Sequence, residues 1–239
     1  MSPTSTTPPN LSPKMKMADA INQYHSLLTV LPRLGIPLGF GEKSIGQLCE
    51  EHHVSEALLM LISRVYCQDD YYPTVNELQR CRMADILQYL VHSHKDYLEN
   101  KLPHIEHHLN TLLEPMDRKY SMLITNFYAE FRKEMEKHFQ YEEKVIFPYL
   151  RQFLTEEEAA ESASYQKSAF HQQHDDIEDT FNDLTNLLLK YIPAEISPVE
   201  RVDMLLDMYA LSNDIARHAM MEDRILVPYI QLLESKRHD

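Results

Sequence analysis

The sequence predicts an all-α protein, an antiparallel four-helix bundle with a small N-terminal helical module. Three observations lead there. Glycine is scarce, four residues in 239, which is too few for a β-rich or α/β chain. The helix formers Leu, Glu, Met, Gln and Ala are plentiful. From Met83 onward, apolar side chains recur at steps of three and four in four separate stretches, the period of one helix face.

The first stretch runs through Met83, Ile86, Leu90, His94, Tyr97, Ile105 and Leu109. The second runs through Ile124, Phe127, Phe131, Met135, His138, Glu142, Val145 and Tyr149. The third takes Phe170, His174, Ile177, Phe181, Leu184 and Leu188. The fourth takes Met204, Met208, Leu211, Ile215, His218, Glu222, Ile225, Tyr229 and Leu232. Thr155 with Glu158, and Ser197 with Glu200, have the spacing of capping boxes, and Pro198 stands at the favoured first helical position. Four such helices with short connections imply antiparallel neighbours.

The N-terminal part reads differently. Residues 1–15 are rich in Ser, Thr and Pro and are expected to be a disordered tail. Residues 16–66 form the small helical module, with Ser44 and Ser55 as N-caps of helices over roughly 45–51 and 56–66. Gly35, Gly39 and Gly41 mark a loop. Residues 67–80 are a linker, and the bundle occupies 81–236. The helix SEALLMLISRVY could suggest a DNA-reading element, but it carries one basic residue, Arg64, where a recognition helix needs several polar or basic side chains.

Charge and cysteine usage exclude some partners. Residues 1–66 hold five Lys/Arg and five Asp/Glu, so the net charge of −14 falls entirely on the rest of the chain. An acidic body disfavours nucleic acid and anionic membrane. Cys49, Cys67 and Cys81 form no CxxC pair and are odd in number, which fits a reducing compartment. No signal peptide or apolar stretch of membrane-spanning length is present, so the expected location is the cytoplasm.

Within the apolar stripes, polar residues stand where apolar ones belong. His94, His138, His174 and His218 occur once per helix, and Glu142 and Glu222 occur on the second and fourth. A buried carboxylate without compensation costs several kcal/mol or more. Six such positions in register need a common cause. His94 to His138 and His174 to His218 both span 44 residues, and His94 to His174 and His138 to His218 both span 80. The helix pair is therefore duplicated. HFQYEEKVIFPYL from His138 and HAMMEDRILVPYI from His218 share His, Glu four later, Pro ten later and Tyr eleven later. An i, i+4 pair lies on one face, about 6 Å apart along the axis. Four imidazoles and two carboxylates suit two metal ions bridged by carboxylate, and that ligand mixture favours iron or manganese. The Glu-x-x-His pattern of ferritin-like centres is absent from these stripes. His171 competes with His174 but breaks the 80-residue correspondence. His104, His107 and His108 read as a solvated helix face, with surface metal binding as the alternative, and Tyr97 and Tyr141 as packing residues near the ligands.

The H…HxxxE…H…HxxxE layout over about residues 80–235 resembles the hemerythrin-like domain. More narrowly, SHKDYLENKLPHIEHHL from Ser93, HFQYEEKVIFPYL, QHDDIE from Gln173 and HAMMEDRILVPYI resemble di-iron proteins that repair iron–sulfur clusters. The resemblance implies His94, His138, His174 and His218 as iron ligands and Glu142 and Glu222 as bridging carboxylates, holding two iron ions in an oxo- or hydroxo-bridged centre. It implies reactivity with O2, NO or peroxide in oxidative or nitrosative stress, or a part in cluster repair. The sequence departs from the repair proteins in two places. LPRLGIPLGFGEKSIGQLCEE from Leu31 is similar to their N-terminal module but has Gly39 and Phe40 where a Cys-Cys pair would fall. Gln173 replaces the acid often found before the third histidine, whereas Glu134 keeps a second acidic position near the site. A sensor signalling to a protein partner through residues 16–66 is the alternative, and a homodimer is left open.

Overall fold

The computed structural model describes residues 11–155, 167–193 and 195–238, with side chains for 11–151, 176–193 and 195–232. The described residues contain helices and no strand. They form α1 (Met17–Gln23), α2 (Leu27–Arg33), α3 (Ile45–Glu51), α4 (Glu56–Cys67), α5 (Val75–Gln79), α6 (Met83–Asp96), α7 (Leu102–Leu113), α8 (Arg118–Tyr141), α9 (Phe147–Thr155), α10 (Lys167–Tyr191), α11 (Pro198–Met221) and α12 (Val227–His238). Two compact units emerge. One comprises the chain up to His92 together with the chain from Met220 onward, and the other is Ser93–Ala219.

In the first unit the helix starts follow the capping chemistry. The Ser44 hydroxyl accepts from the Gln47 N–H while the Gln47 side chain accepts from the Ser44 N–H. The Ser55 hydroxyl accepts from the Leu58 N–H. Thr74 and Glu77 form a second such box, so the stretch 67–80 includes the short helix α5. α2 ends at Gly35, whose φ of +73° costs little without a Cβ. Residues 11–15 are tied down as well: Leu11 is buried, the Ile45 N–H donates to the Met15 carbonyl and the Gly46 N–H to the Pro13 carbonyl, both at 2.9 Å. The rest of the expected tail, residues 1–10, lies outside the described residues.

α4 supplies much of this unit's core through Leu58, Leu59, Leu61, Ile62, Val65 and Tyr66. Its one basic side chain, Arg64, is paired with Glu77. The buried Arg33 donates to the Tyr66 hydroxyl at 2.9 Å, and the Arg33 carbonyl accepts from His92 Nδ1 at 2.8 Å. The C-terminal helix joins the same unit. Arg224 donates to the Asp69 carbonyl at 2.6 Å and the Tyr71 carbonyl at 3.2 Å, and the Tyr229 hydroxyl donates to the Cys81 carbonyl at 3.0 Å.

The second unit is the body of the helical bundle. Short connections at 114–117 and 192–197 reverse the chain between α7 and α8 and between α10 and α11. The segment 156–166, which includes Glu158 of the expected Thr155 capping box, lies outside the described residues. α8 packs against both α7 and α10. Tyr97, Leu102, Ile105, Leu109, Ile124, Phe131, Met135, Phe139, Ile177, Phe181, Leu184, Leu188, Met204, Met208, Leu211 and Ile215 form one continuous core. The hydroxyls of buried tyrosines find carbonyls: Tyr128 donates to Leu102 at 2.6 Å and Tyr97 to Asp214 at 3.0 Å.

Among the described residues, three π-helical turns interrupt the long helices, at Tyr97–Lys101, Glu142–Ile146 and Glu222–Leu226. Each is closed by an i→i−5 bond, from Leu102 to Tyr97, Phe147 to Glu142 and Val227 to Glu222. The next residue is proline every time, Pro103, Pro148 and Pro228. A proline inside a helix has no N–H and its ring collides with the carbonyl four residues back. One extra residue in the turn relieves that collision, and π turns of this kind concentrate at functional sites.

The wider turn also corrects the second stripe. After Glu142 the buried positions are Ile146, Phe147 and Leu150, whereas Val145 is 50% exposed and Tyr149 is half-buried. One inserted residue advances the following side chains by about 100° around the axis, given 3.6 residues per ordinary turn. A stripe extrapolated at constant period therefore slips by one position. After Glu222 the expected Ile225 is buried, together with Leu226, Val227 and Ile230, and the slip shows only at Tyr229, which is half-buried.

Candidate metal centre

The C-terminal end of α6, the ends of α8 and α11, and the π turn after α8 bring four polar side chains of the second unit into its apolar core. His94, His138, Glu142 and His218 are all buried, and Glu142 has no exposed surface. His94 Nε2 lies 3.1 Å from His218 Nε2 and 3.1 Å from Glu142 Oε2. The other oxygen, Oε1, lies 3.1 Å from His138 Nε2. His94, Glu142 and His218 each offer a ligand atom within 4.8 Å of the others.

Glu222 is also fully buried and heads the π turn that continues α11, four residues beyond His218. It repeats on its helix the position of Glu142 relative to His138. His174 lies in α10, in the stretch whose side chains fall outside the described residues, as do those of His171 and Gln173.

One contributor was not singled out in the sequence. Glu143 Oε1 sits 2.8 Å from His94 Nδ1, and its carboxylate is 40% exposed. A carboxylate there holds the Nδ1 proton and leaves the Nε2 lone pair pointing inward, as outer partners of ligating histidines do. Glu143 follows Glu142 directly, so it falls off the apolar stripe that marked the other residues. Only the pairing of adjacent acids in HFQYEE could have signalled it.

The surroundings are aromatic. His94 stacks on Phe139 at 4.1 Å and on Phe147 at 5.7 Å between ring centroids. Tyr97 meets His218 edge-on at 5.6 Å. Tyr97 is thus a packing residue with its hydroxyl engaged, whereas Tyr141 is 46% exposed. A small cavity of about 20 Å³ lies among Tyr97, Met135, His138, Phe139, Ile177 and His218. On the outer side of His138, a cleft of about 350 Å³ between α8 and α10 is lined by Glu134, Lys137, Tyr141, Asp176 and Thr180. Glu134 therefore does border the site's approach, where it pairs with Lys137 at 2.6 Å.

The donor set fits a metal ion. With the Nδ1 proton of His94 on Glu143, its Nε2 lone pair faces a carboxylate oxygen and a second imidazole nitrogen. A proton can answer one such contact, while a cation answers all of them. Ligand bonds of about 2.1 Å place neighbouring donors of one ion about 3.0–3.4 Å apart. The three contacts of 3.1 Å match that spacing.

Fold and site together define a helical-bundle protein with a buried histidine–carboxylate cluster whose donors fit a metal ion. Residues 85–230 match the model of the hemerythrin HHE cation-binding domain, well over half of the chain, and the protein belongs to that family. No curated protein matches it. Among the described residues, no helix is long and apolar enough to cross a membrane.

Proposed function

We propose that the chain is a non-haem di-iron protein that binds or reacts with O2, NO or peroxide. His94, His138, His174 and His218 would serve as terminal ligands, and Glu142 and Glu222 as the two bridging carboxylates. The single observation that carries this is the buried cluster in which His94 and His138 each face one oxygen of Glu142 and His218 meets His94. The 80-residue repeat extends it to His174 and Glu222. A pair of iron ions would supply redox chemistry and a coordination position for a small molecule.

The chain's own residues perform the remaining tasks. Glu143 fixes the tautomer and tilt of His94. Phe139, Phe147 and Tyr97 wall the imidazoles off from water, which keeps the local dielectric low and the ring positions fixed. The small cavity beside His138 and His218 is lined largely by apolar side chains, so it suits a diatomic molecule better than a charged metabolite. A stress-response role, including iron–sulfur cluster repair, follows from this reactivity. The test is to reduce the iron-loaded protein and add O2 or NO. A change in the visible spectrum is expected, and an unchanged spectrum would count against the proposal.

A second reading is a sensor whose iron state alters a protein partner through residues 16–66. What favours it is the thiol content of that module. Gly39 and Phe40 stand in place of a cysteine pair, and Cys49 is buried, with desolvation pushing its thiol up to about 11. Such a thiol stays protonated and unreactive near neutral pH, so the module is better suited to contact than to redox chemistry. Hydrogen exchange of residues 16–66, compared between iron-free and iron-loaded protein, separates the readings. A change in protection supports the sensor, and identical protection removes it.

A further inference from the structure

We propose a second metal site on the flank of the bundle, formed by His104, His108 and Asp207, for a divalent ion of the zinc class. His104 and His108 stand one turn apart on α7, and Asp207 projects from α11. Asp207 Oδ2 lies 3.2 Å from His104 Nε2 and 2.8 Å from His108 Nδ1. The three ligand atoms all fall within 4.8 Å of one another, and the two imidazole centroids are 4.7 Å apart. Two histidines at i, i+4 present their rings from a single helix face. With a carboxylate from a neighbouring helix they make a three-donor set whose remaining positions are open to water.

The donor set selects the ion. Two imidazoles and one carboxylate suit Zn²⁺, or Cu²⁺ and Ni²⁺, whereas Mg²⁺ and Ca²⁺ prefer all-oxygen sites. The three side chains are 57%, 37% and 33% exposed, so ions reach them without opening the core. The site is separate from the buried centre. His104 is ten residues beyond His94 on one helical run, and Asp207 is eleven residues before His218 on the other. At 1.5 Å per residue, both displacements are about 15–17 Å along the bundle. An ion here would pin α7 to α11, the helix that leads into His218.

The sequence shows the three histidines of HIEHH as a polar helix face, and nothing in it places Asp207 opposite them. His107, the middle histidine, is exposed, stands about 100° around the helix from His108 and lies outside the group that shares Asp207. It therefore serves as the internal control.

The test uses full-length, iron-loaded protein titrated with Co²⁺ followed by visible absorption, and with Zn²⁺ followed by calorimetry. Wild type is expected to take one ion beyond its iron, with the iron content unchanged before and after. His108→Ala and Asp207→Asn are each expected to weaken that binding more than about tenfold, the lower end of what even an outer partner of a metal site is worth. His107→Ala is expected to bind as wild type does. All four proteins should melt together in the presence of chelator, since the altered residues are exposed or half-exposed. Repeating the titration in a Glu142→Gln background keeps this site separate from the buried centre: the flank equivalent persists there even if the iron reading fails. The proposal is overturned if wild type takes up no such equivalent at micromolar ion, or if His108→Ala and Asp207→Asn bind as tightly as wild type.

Discussion

Glu142→Gln separates the stability of the fold from the stability of the metal centre, and the two should move in opposite directions. Glu142 is fully buried and stands between His94 and His138, 3.1 Å from each ring nitrogen. Taking one ionised carboxylate out of water costs several kcal/mol even after relaxation, and facing imidazoles repay only part of it. Glutamine keeps the shape and removes the charge. Metal-free Glu142→Gln is therefore expected to melt at or above metal-free wild type. With iron the order reverses. At free iron about one hundred times its dissociation constant, binding stabilises wild type by about 2.7 kcal/mol. For a chain of this length that corresponds to a rise of roughly 5–11 °C in Tm. The amide cannot bridge two cations, so the variant should gain clearly less of that shift than wild type. Differential scanning calorimetry of both proteins, with and without iron, gives all four numbers. An equal iron-induced shift in wild type and variant would refute the role assigned to Glu142. A metal-free variant melting well below wild type would refute the electrostatic argument.

Other perturbations test other parts of the account. Glu143→Ala leaves the ligands in place but releases His94 Nδ1, and should weaken iron retention about 10–100-fold in a chelator competition. Pro148→Ala removes the clash that the Glu142–Ile146 π turn relieves, so the turn should relax toward ordinary helix and carry Glu142 out of register. Its iron content should drop while its metal-free stability holds or rises; full iron occupancy would show that proline does not set the turn. Burial raises the thiols of Cys49 and Cys81 from 9.0 to about 11 each. A raised folded pKa gives stability that is complete below pH 9 and is lost as pH climbs toward 11, up to about 2–3 kcal/mol per thiol. Denaturant unfolding across that range should show the decline, and Cys49→Ala should flatten it; a slope unchanged in the variant would contradict the assignment.

Much of the fold could be read from the order of residues because each long helix obeys one period over many turns. Ser44, Ser55 and Pro198 mark helix starts by local chemistry alone, and the structure places helix starts immediately after Ser44 and Ser55 and at Pro198. The buried polar residues were legible for the opposite reason, since His94, His138, Glu142, His218 and Glu222 break the apolar pattern where it is strongest. What escaped were features without a periodic signature. The π turns shift the phase by one residue, so Val145 and Tyr149 were expected to face inward while Phe147 and Leu150 do. Pro103, Pro148 and Pro228 were visible, but a proline inside a helical pattern can kink, end or widen the helix, and sequence alone does not choose among these. Glu143 and Asp207 were missed because each acts on a histidine from a distant segment, His94 in one case and the His104–His108 pair in the other.

The most direct test of the central claim is the metal content of protein produced with ample iron, measured together with its visible absorption spectrum. The account predicts about two irons per chain, as two carboxylates and four imidazoles suit two bridged ions, with an oxo-bridge band that disappears in His138→Ala and Glu222→Gln. A folded protein carrying little or no metal under those conditions, or one iron per chain indifferent to both substitutions, would contradict it.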